Sequence, residues 1–343
     1  MIVDQNTFLP RKIKNRLILL FDFLTKKEKT KGLPLEIGIE VINVCNLNCI
    51  MCPYSEMISK KTRPQKKMSF SLFQKIVDEI APFAELIYLH GLGEPLLHPQ
   101  IYEFIKYAKK RGLRIGISTN TMLLDEAKSK KLLDLEVNYL ILAMDGATKE
   151  TYEKIRKGGN FEQVERNIKN FFQMKKRRKK APFTVIQFIT MEENEKEVGL
   201  FLKKWQGKGA DIVRIKPKIA LKDKDKKGKA KITPYCFHIF RQLNIYSDGT
   251  VTPCCEDVHG RYPLGNVKKE GIKKLWNSQK MKILRKKNFQ RKREQINICK
   301  TCLYPQPTIL EAGGVLVFDH LTVKKILPRI ENLARERLGA LYG

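Results

Sequence analysis

Three cysteines fall within one short stretch, Cys45-Asn46-Leu47-Asn48-Cys49-Ile50-Met51-Cys52, directly after an apolar run over residues 35–44. Thiolates are soft ligands, and a C-x3-C-x2-C loop can wrap three of them around one face of an iron–sulfur cube. Four-iron clusters usually take four cysteines. Three would leave one iron open to a small molecule carrying its own donor atoms. A structural zinc knuckle or three unrelated thiols are the bland alternatives. Zinc, however, wants four ligands, and nothing nearby supplies a fourth at the usual spacing.

A second thiol group lies far downstream: Cys236, Cys254, Cys255, Cys299 and Cys302. The stretch between Cys236 and Cys254 reads as a hairpin over 243–246 and 250–252, turned by Ser247-Asp248-Gly249. That hairpin carries Cys254 back towards Cys236. The C-x2-C pair Cys299 and Cys302 can bind one metal centre, and spacing alone does not separate zinc from iron there. Other stretches with chemical potential sit between the two groups. In His90-Gly91-Leu92-Gly93-Glu94-Pro95, glycines let the backbone approach a ligand, and carbonyls plus Glu94 can accept bonds from an ammonium. Ser118-Thr119-Asn120 could contact a ligand or simply form an Asx turn. Arg156 could pair with a carboxylate or join a surface ion pair. Lys216-Pro217-Lys218 could flank a substrate mouth or be a solvated strand end.

The elements that must position these residues alternate. Strand patterns over 35–44, 86–90, 113–118, 139–144, 184–190 and 212–216 are interleaved with helical patterns over 70–83, 101–111, 125–135, 161–180 and 196–205. Asp125 is a plausible N-cap. Six βα units imply parallel strands with helices outside, with functional residues at the C-terminal strand ends. The cysteine loop, the Gly-Leu-Gly-Glu-Pro stretch, Ser118–Asn120, Asp145-Gly146 and Lys216 all fall there. The charged segment 221–231 reads as a linker, a further helix is expected over about 272–286, and the tail 311–343 has helical spacing.

Taken together these motifs resemble the radical SAM superfamily. The resemblance implies an α/β fold, a partial (β/α)6 TIM-like barrel over 35–220, followed by a small α+β iron–sulfur domain over 232–310. It implies that Cys45, Cys49 and Cys52 hold a [4Fe–4S] cluster whose open iron chelates S-adenosylmethionine. It further implies that Gly91, Gly93, Glu94, Ser118, Asn120 and Arg156 line that ligand. Leu92 stands where some versions of the motif have glycine. Asp248-Gly249, Pro253-Cys254-Cys255, Asp257, Leu264-Gly265-Asn266-Val267 and Leu275-Trp276 resemble the SPASM/Twitch auxiliary domain. In its shorter form four cysteines, here Cys236, Cys254, Cys299 and Cys302, hold a second [4Fe–4S] cluster, with Cys255 the spare thiol, although the adjacent pair leaves open which of the two is the ligand.

The activity implied is reductive cleavage of S-adenosylmethionine to a 5′-deoxyadenosyl radical, which abstracts a hydrogen atom from substrate. An auxiliary cluster fully ligated by cysteine suits electron transfer, so the resemblance favours an oxidoreductase. Its single-cluster layout is similar to that of the 2-deoxy-scyllo-inosamine dehydrogenase of aminocyclitol synthesis. The expected substrate is a small polar molecule such as a sugar, cyclitol or nucleotide-linked compound, with an external flavodoxin- or ferredoxin-type reductant. A peptide or protein maturase or epimerase is the alternative, placed second because the 34 residues before the first strand are too few for the peptide-recognition domain many such enzymes carry. A tRNA-modifying enzyme and a non-catalytic metal-binding scaffold stand behind it. Candidate proton-transfer groups are His238, Glu256, Asp257 and Lys216, with Cys255 as a thiol donor.

Composition sets the remaining bounds. Hydrophobic content of 42% permits a sizeable core. The 67 Lys and Arg against 36 Asp and Glu give a formal net charge of +31. That charge would suit an anionic partner such as RNA or a membrane surface, or merely reflect a lysine-rich proteome. The cysteine pattern points to a reducing, cytoplasmic compartment. The first 34 residues form a basic helical extension whose apolar run, 17–24, is too short to span a bilayer. It could lie on a membrane surface or cap the barrel.

Overall fold

The computed structural model describes residues 8–217, 236–300 and 302. Lys218, the expected linker over 221–231 and the expected tail over 311–343 lie outside the described residues. The chain opens with helix α1 (Leu9–Leu24) and enters the sheet through β1 (Glu36–Ile39). A two-residue strand β2 (Asn48–Cys49) and a short helix α2 (Tyr54–Ser59) follow. Then come α3 (Phe70–Ile80), β3 (Leu86–Tyr88), α4 (Ile101–Lys110), β4 (Arg114–Thr119), α5 (Glu126–Asp134) and β5 (Tyr139–Ala143). The next elements are α6 (Lys149–Ile155), the two-residue β6 (Arg156–Lys157), α7 (Phe161–Lys176), β7 (Phe183–Thr190), α8 (Val198–Trp205) and β8 (Ile212–Pro217). The C-terminal part contributes β9 (Gln242–Ile245), β10 (Thr250–Thr252), β11 (Gly265–Asn266), α9 (Ile272–Trp276) and α10 (Gln279–Phe289).

The six expected strands, β1, β3, β4, β5, β7 and β8, pair in parallel in that order. Alternation splits their side chains between two faces. Ile37, Ile39, Ile87, Ile115, Ile117, Leu140, Leu142, Ile186 and Phe188 face the helices and are buried with Phe73, Phe104, Ile168, Phe171, Phe201 and Trp205. Each such side chain contributes roughly 1.5–3 kcal/mol by leaving water. The helices begin on side-chain caps. The Asp125 carboxylate accepts the Lys128 N–H at 2.8 Å, and the Asn160 side chain accepts that of Gln163 at 2.8 Å. Such caps contribute about 1 kcal/mol each.

The structure departs from the sequence expectation in three places. The C-terminal hairpin is not separate from the barrel sheet. β9 pairs in parallel with β1, Glu36 to Gln242 through Ile39 to Ile245, and β10 and β11 extend the sheet antiparallel to nine strands. The single helix expected over 272–286 is two, because Ser278 caps α10 by accepting the Met281 N–H. Finally, α7 ends at Lys176, short of residue 180. The charge run there is absorbed by neighbours: Lys175 pairs with Asp211, and Arg178 with Asp134 at 2.6 Å.

Candidate active site

The face of the sheet turned away from the helices is mixed, with Leu86, Ile141, Val185 and Ile212 beside several polar side chains. Glu36, Tyr88, Tyr139, Arg214 and Asn244 lie on it by strand alternation, and Arg214 Nη2 donates to the Tyr139 hydroxyl at 3.1 Å. The first cysteine loop stands at its C-terminal end, beyond β1. None of the eight cysteines is in a disulfide. Cys45, Cys49 and Cys52 face one another closely enough for each to raise a neighbour's proton affinity. Burial raises all three, Cys49 to about 11. Metal binding there must therefore displace protons.

What holds this loop was only partly visible in the sequence. β2 pairs antiparallel with β6, placing Cys49 opposite Arg156 and Asn48 opposite Lys157. Arg156 was expected to meet a ligand carboxylate; its acidic partner is instead internal. Its Nη2 and Nε lie 2.6 and 2.9 Å from Asp145 Oδ2, with Arg156 5% and Asp145 0% exposed. The other Asp145 oxygen accepts the Ile189 N–H at 2.7 Å. A buried guanidinium needs a fixed counter-charge, and Asp145 at the end of β5 is the nearest.

The Gly-Leu-Gly-Glu-Pro stretch is likewise built inward. A Cβ on Gly93 would lie 2.3 Å from the Ile42 carbonyl oxygen and 2.8 Å from that of Val44. One on Gly91 would lie 2.7 Å from Glu40. The glycines thus allow the loop to pack on the segment that leads into Cys45, and the Glu94 N–H donates to the Val44 carbonyl at 2.9 Å. Glu94 was expected to receive an ammonium. It is 2% exposed and already accepts from Thr119 Oγ1 at 2.9 Å and from the Asn120 and Leu96 N–H groups at 2.8 and 3.0 Å. Burial pushes its carboxyl up to about 7. It braces the β3 and β4 loops against each other.

At the end of β4, Ser118 is half-buried. Asn120 forms the Asx turn, accepting from the Met122 N–H at 3.0 Å. Its Nδ2 also reaches the first cysteine loop, 2.8 Å from Asn46 Oδ1 and 3.8 Å from Cys45 Sγ. The next residue, Thr121, takes φ = +69°, costly for a β-branched side chain, and Asn167 Nδ2 fastens its carbonyl at 2.9 Å. Sequence reasoning also missed Glu40, which accepts from Arg63, from Ser247 Oγ at 3.2 Å and from the Leu92 N–H at 3.4 Å. No motif marks it.

The second thiol group is assembled from three segments. Cys236 is clamped to α10: its N–H donates to Asn288 Oδ1 at 2.6 Å, and its carbonyl accepts from Asn288 Nδ2 at 3.3 Å. Cys254, which follows β10, faces Cys236 and accepts the Glu256 N–H at 3.3 Å on sulfur. Cys299 faces Cys236 and Cys302. Burial raises Cys236 to about 11 and Cys299 to about 12. Cys255 is exposed, its Sγ 3.7 Å from Glu256 Oε1. Beside this group lies Arg293, 2% exposed, with Nε and Nη2 buried and lacking a hydrogen-bond partner among the described residues. It acts on Cys236 and Cys299 as a nearby positive charge. Four thiolates around a cluster are anionic, and orphaned guanidinium donors against them fit such a group. Among the described residues no three His, Cys, Asp or Glu side chains close on a single point. It is the donor set and its surroundings, not a ready ion cage, that fit the cofactor.

The candidate proton-transfer residues separate. His238 lies near Glu36 and Arg241 at the N-terminal end of the sheet, away from the cysteine loop. Burial first, then Arg241, pushes its imidazole down to about 4. Asp257, 0% exposed, is spent on its own loop, accepting the Arg261 and Tyr262 N–H groups at 2.8 Å each. Glu256 is raised by burial and lowered by Lys216, so those two groups face each other across the end of β8 and the loop after Cys254. That loop also reaches the surroundings of the first site: Val258 packs on the Tyr54, Met57 and Leu92 cluster, as Cys45 and Cys52 do, and its carbonyl accepts from Arg63 Nη1 at 3.0 Å.

Comparison with known proteins agrees with this geometry. A model of the radical SAM superfamily matches residues 39–203, and one of an iron–sulfur cluster-binding domain (SPASM) matches 236–303. The chain is 24% identical over 293 residues to a tungsten-containing aldehyde ferredoxin oxidoreductase cofactor-modifying protein of Pyrococcus furiosus. That match covers 71% of this chain and 80% of the relative. In fold it is similar to BtrN in complex with AdoMet and 2-DOIA (TM-score 0.51, 19% identity, 79% of this chain and 93% of that one). It is also similar to anSMEcpe with bound AdoMet and Cp18Cys peptide (TM-score 0.59, 18% identity, 88% and 99%). The chain belongs to the radical SAM superfamily, carries a C-terminal SPASM iron–sulfur domain, and has S-adenosylmethionine and [4Fe–4S] clusters as its cofactors.

Proposed function

We propose that this enzyme oxidises a small polar substrate, with Cys45, Cys49 and Cys52 holding the S-adenosylmethionine-binding cluster and Cys236, Cys254, Cys299 and Cys302 an auxiliary one. When bound, these groups would supply at the first site a radical able to take hydrogen from an unactivated C–H bond, and at the second an acceptor for one electron. The observation that carries the reading is the second thiol group, with Cys236, Cys254, Cys299 and Cys302 near one another, Cys255 exposed, and the buried, unpartnered Arg293 donors close to Cys236 and Cys299. Four cysteine ligands leave no iron open for substrate, which favours electron transfer. An external one-electron donor of the flavodoxin or ferredoxin type would reduce the first site.

The chain's own residues prepare the reaction. Tyr88, Arg214 and Asn244 are polar groups on the inner face of the sheet that would hydrogen-bond a hydroxyl-rich substrate. Val258, packed on the Leu92 and Tyr54 cluster that also borders Cys45 and Cys52, would help to keep water from the first site. Glu256, with a proton affinity raised by burial and Lys216 nearby, would take the proton that oxidation of an alcohol releases. Peptide maturation is the second reading, supported by the likeness to the peptide-bound anSMEcpe structure. The test is iron per chain after anaerobic reconstitution, for wild type and for a Cys45/Cys49/Cys52→Ala triple variant. The reading expects about eight iron atoms falling to about four. About four falling to near zero would remove the electron acceptor and leave redox-neutral radical chemistry.

A further inference from the structure

Helix α1 is mounted with its polar side inward. Lys12 Nζ donates to the Gly112 carbonyl at 3.0 Å, and Arg16 is ion-paired with Glu85. Asn15 exchanges two hydrogen bonds with the Leu33 backbone at 2.8 and 2.9 Å. Asp22 accepts the Lys31 and Gly32 N–H groups at 2.7 and 2.9 Å. Phe23 locks the far end, its ring 5.3 Å from that of Phe237 and 5.4 Å from that of Phe240. These contacts lie just before β1, β3 and β4, at the end of the sheet opposite the first cysteine loop. They also prevent the helix from rolling.

The outward side is apolar. Leu9, Ile13, Leu17, Phe21 and Leu24 are 49–61% exposed and recur every three or four residues, so they form one stripe. Among the described residues, the other exposed large hydrophobic side chains are scattered, Leu200 at 50% and Ile50, Ile58 and Ile283 at 39–40%. Isolated exposed hydrophobics need no explanation, but a stripe five residues long on a fixed helix does. Basic residues accompany it. Arg11, Lys14, Lys26, Lys27, Lys29 and Lys31 are exposed along the helix and the turn after it, against the single exposed acid Glu28. The turn is bonded to the C-terminal helices, Arg285 Nη1 to the Glu28 carbonyl at 3.1 Å and Asn277 Nδ2 to that of Thr30 at 3.0 Å. Lys273 and Lys286 are exposed on those helices and continue the positive surface. No described helix is long and apolar enough to cross a membrane, and α1 has 16 residues.

We propose that α1 docks the enzyme on an anionic membrane surface, the stripe entering the headgroup boundary and the flanking lysines and Arg11 meeting the lipid charge. An apolar stripe alone would fit a second copy or another segment equally well; its basic flanks favour anionic lipid. The barrel mouth lies at the other end of the strands, so docking would hold the enzyme at the bilayer with its active site facing the aqueous side. The lipid is then an anchor and not the substrate.

Co-sedimentation of the reconstituted full chain with vesicles tests this. Vesicles of equal parts phosphatidylglycerol and phosphatidylcholine should bind at least about tenfold more tightly than phosphatidylcholine alone, and less tightly as salt rises. Leu17→Ser/Phe21→Ser should lower binding to the mixed vesicles by about tenfold or more while keeping the iron content. Lys14→Glu/Lys26→Glu/Lys27→Glu should do so too, and only for the anionic vesicles. Absence of binding to either vesicle overturns the proposal. So does binding that survives Leu17→Ser/Phe21→Ser, which would be charge alone. A dimer that does not bind vesicles and that Leu17→Ser/Phe21→Ser turns into a monomer would assign the stripe to a second copy, and also overturns it.

Discussion

Replacing Asp145 by asparagine removes one charge and almost no volume. The fully buried carboxylate is the counter-ion of Arg156, 2.6 and 2.9 Å from its Nη2 and Nε. The amide keeps an oxygen for the Ile189 N–H but turns an NH2 donor towards a guanidinium that is itself all donors. Arg156 cannot escape to water, because it forms the β6 bridge opposite Cys49 and is 5% exposed. Leaving one buried charge without its partner costs about 3–5 kcal/mol. With an m-value of about 2–3 kcal/mol per molar urea, the unfolding midpoint should fall by about 1–2.5 M. Because Arg156 fixes the strand carrying Cys49, iron per reconstituted chain should also fall by up to about four. Urea melts of Asp145→Asn and of the double variant Asp145→Leu/Arg156→Leu, alongside iron counts, measure both effects. The double variant has no orphaned charge and should be less destabilised than the single one. A midpoint shift below about 0.3 M in Asp145→Asn, or a double variant worse than the single, would refute the reasoning.

Two further outcomes follow from the same geometry. Gly93→Ala places a methyl group 2.3 Å from the Ile42 carbonyl oxygen, a backbone atom that cannot swing aside. It should abolish cleavage of S-adenosylmethionine and loosen the first cluster while the second, counted as about four irons, remains; normal cleavage would show that the loop can move. Arg293→Met removes the orphaned donors beside Cys236 and Cys299. It should lower the reduction potential of the auxiliary cluster by roughly 60–120 mV, about 1.4–2.8 kcal/mol for one electron, with iron content held. A redox titration followed by electron paramagnetic resonance reads this, and an unchanged potential would place Arg293 outside the cluster's reach.

The chain's local signals carried far. Six strand patterns, the helices between them and the Asp125 cap are all properties of a few neighbouring residues, and periodicity and capping report such properties directly. The three thiols of the first loop are also a local fact, being eight residues from end to end. Motif residues were harder to interpret than to find. Glu94, Arg156 and Asp257 drew attention as polar groups near a ligand, yet each is occupied by protein donors or a protein acid in the fold. A sequence shows that a carboxylate or guanidinium is present but not what neutralises it, because the partner comes from a distant segment.

By itself, the amino-acid sequence determined the alternation of strands and helices, the cysteine spacing and the family those motifs belong to, since each is encoded over short separations. Only the tertiary structure decided that β9 joins β1 and merges the C-terminal hairpin with the barrel sheet. It alone decided that Cys254 comes near Cys236 while Cys255 is exposed, and that Val258 and the first cysteine loop pack on one cluster, Tyr54, Met57 and Leu92. It also decided which face of α1 is buried: the polar one, because Gly112, Glu85 and the Leu33 backbone offer hydrogen-bonding partners there. Burial and pairing are settled by what surrounds a residue, and for these residues the surroundings lie tens to hundreds of positions away along the chain.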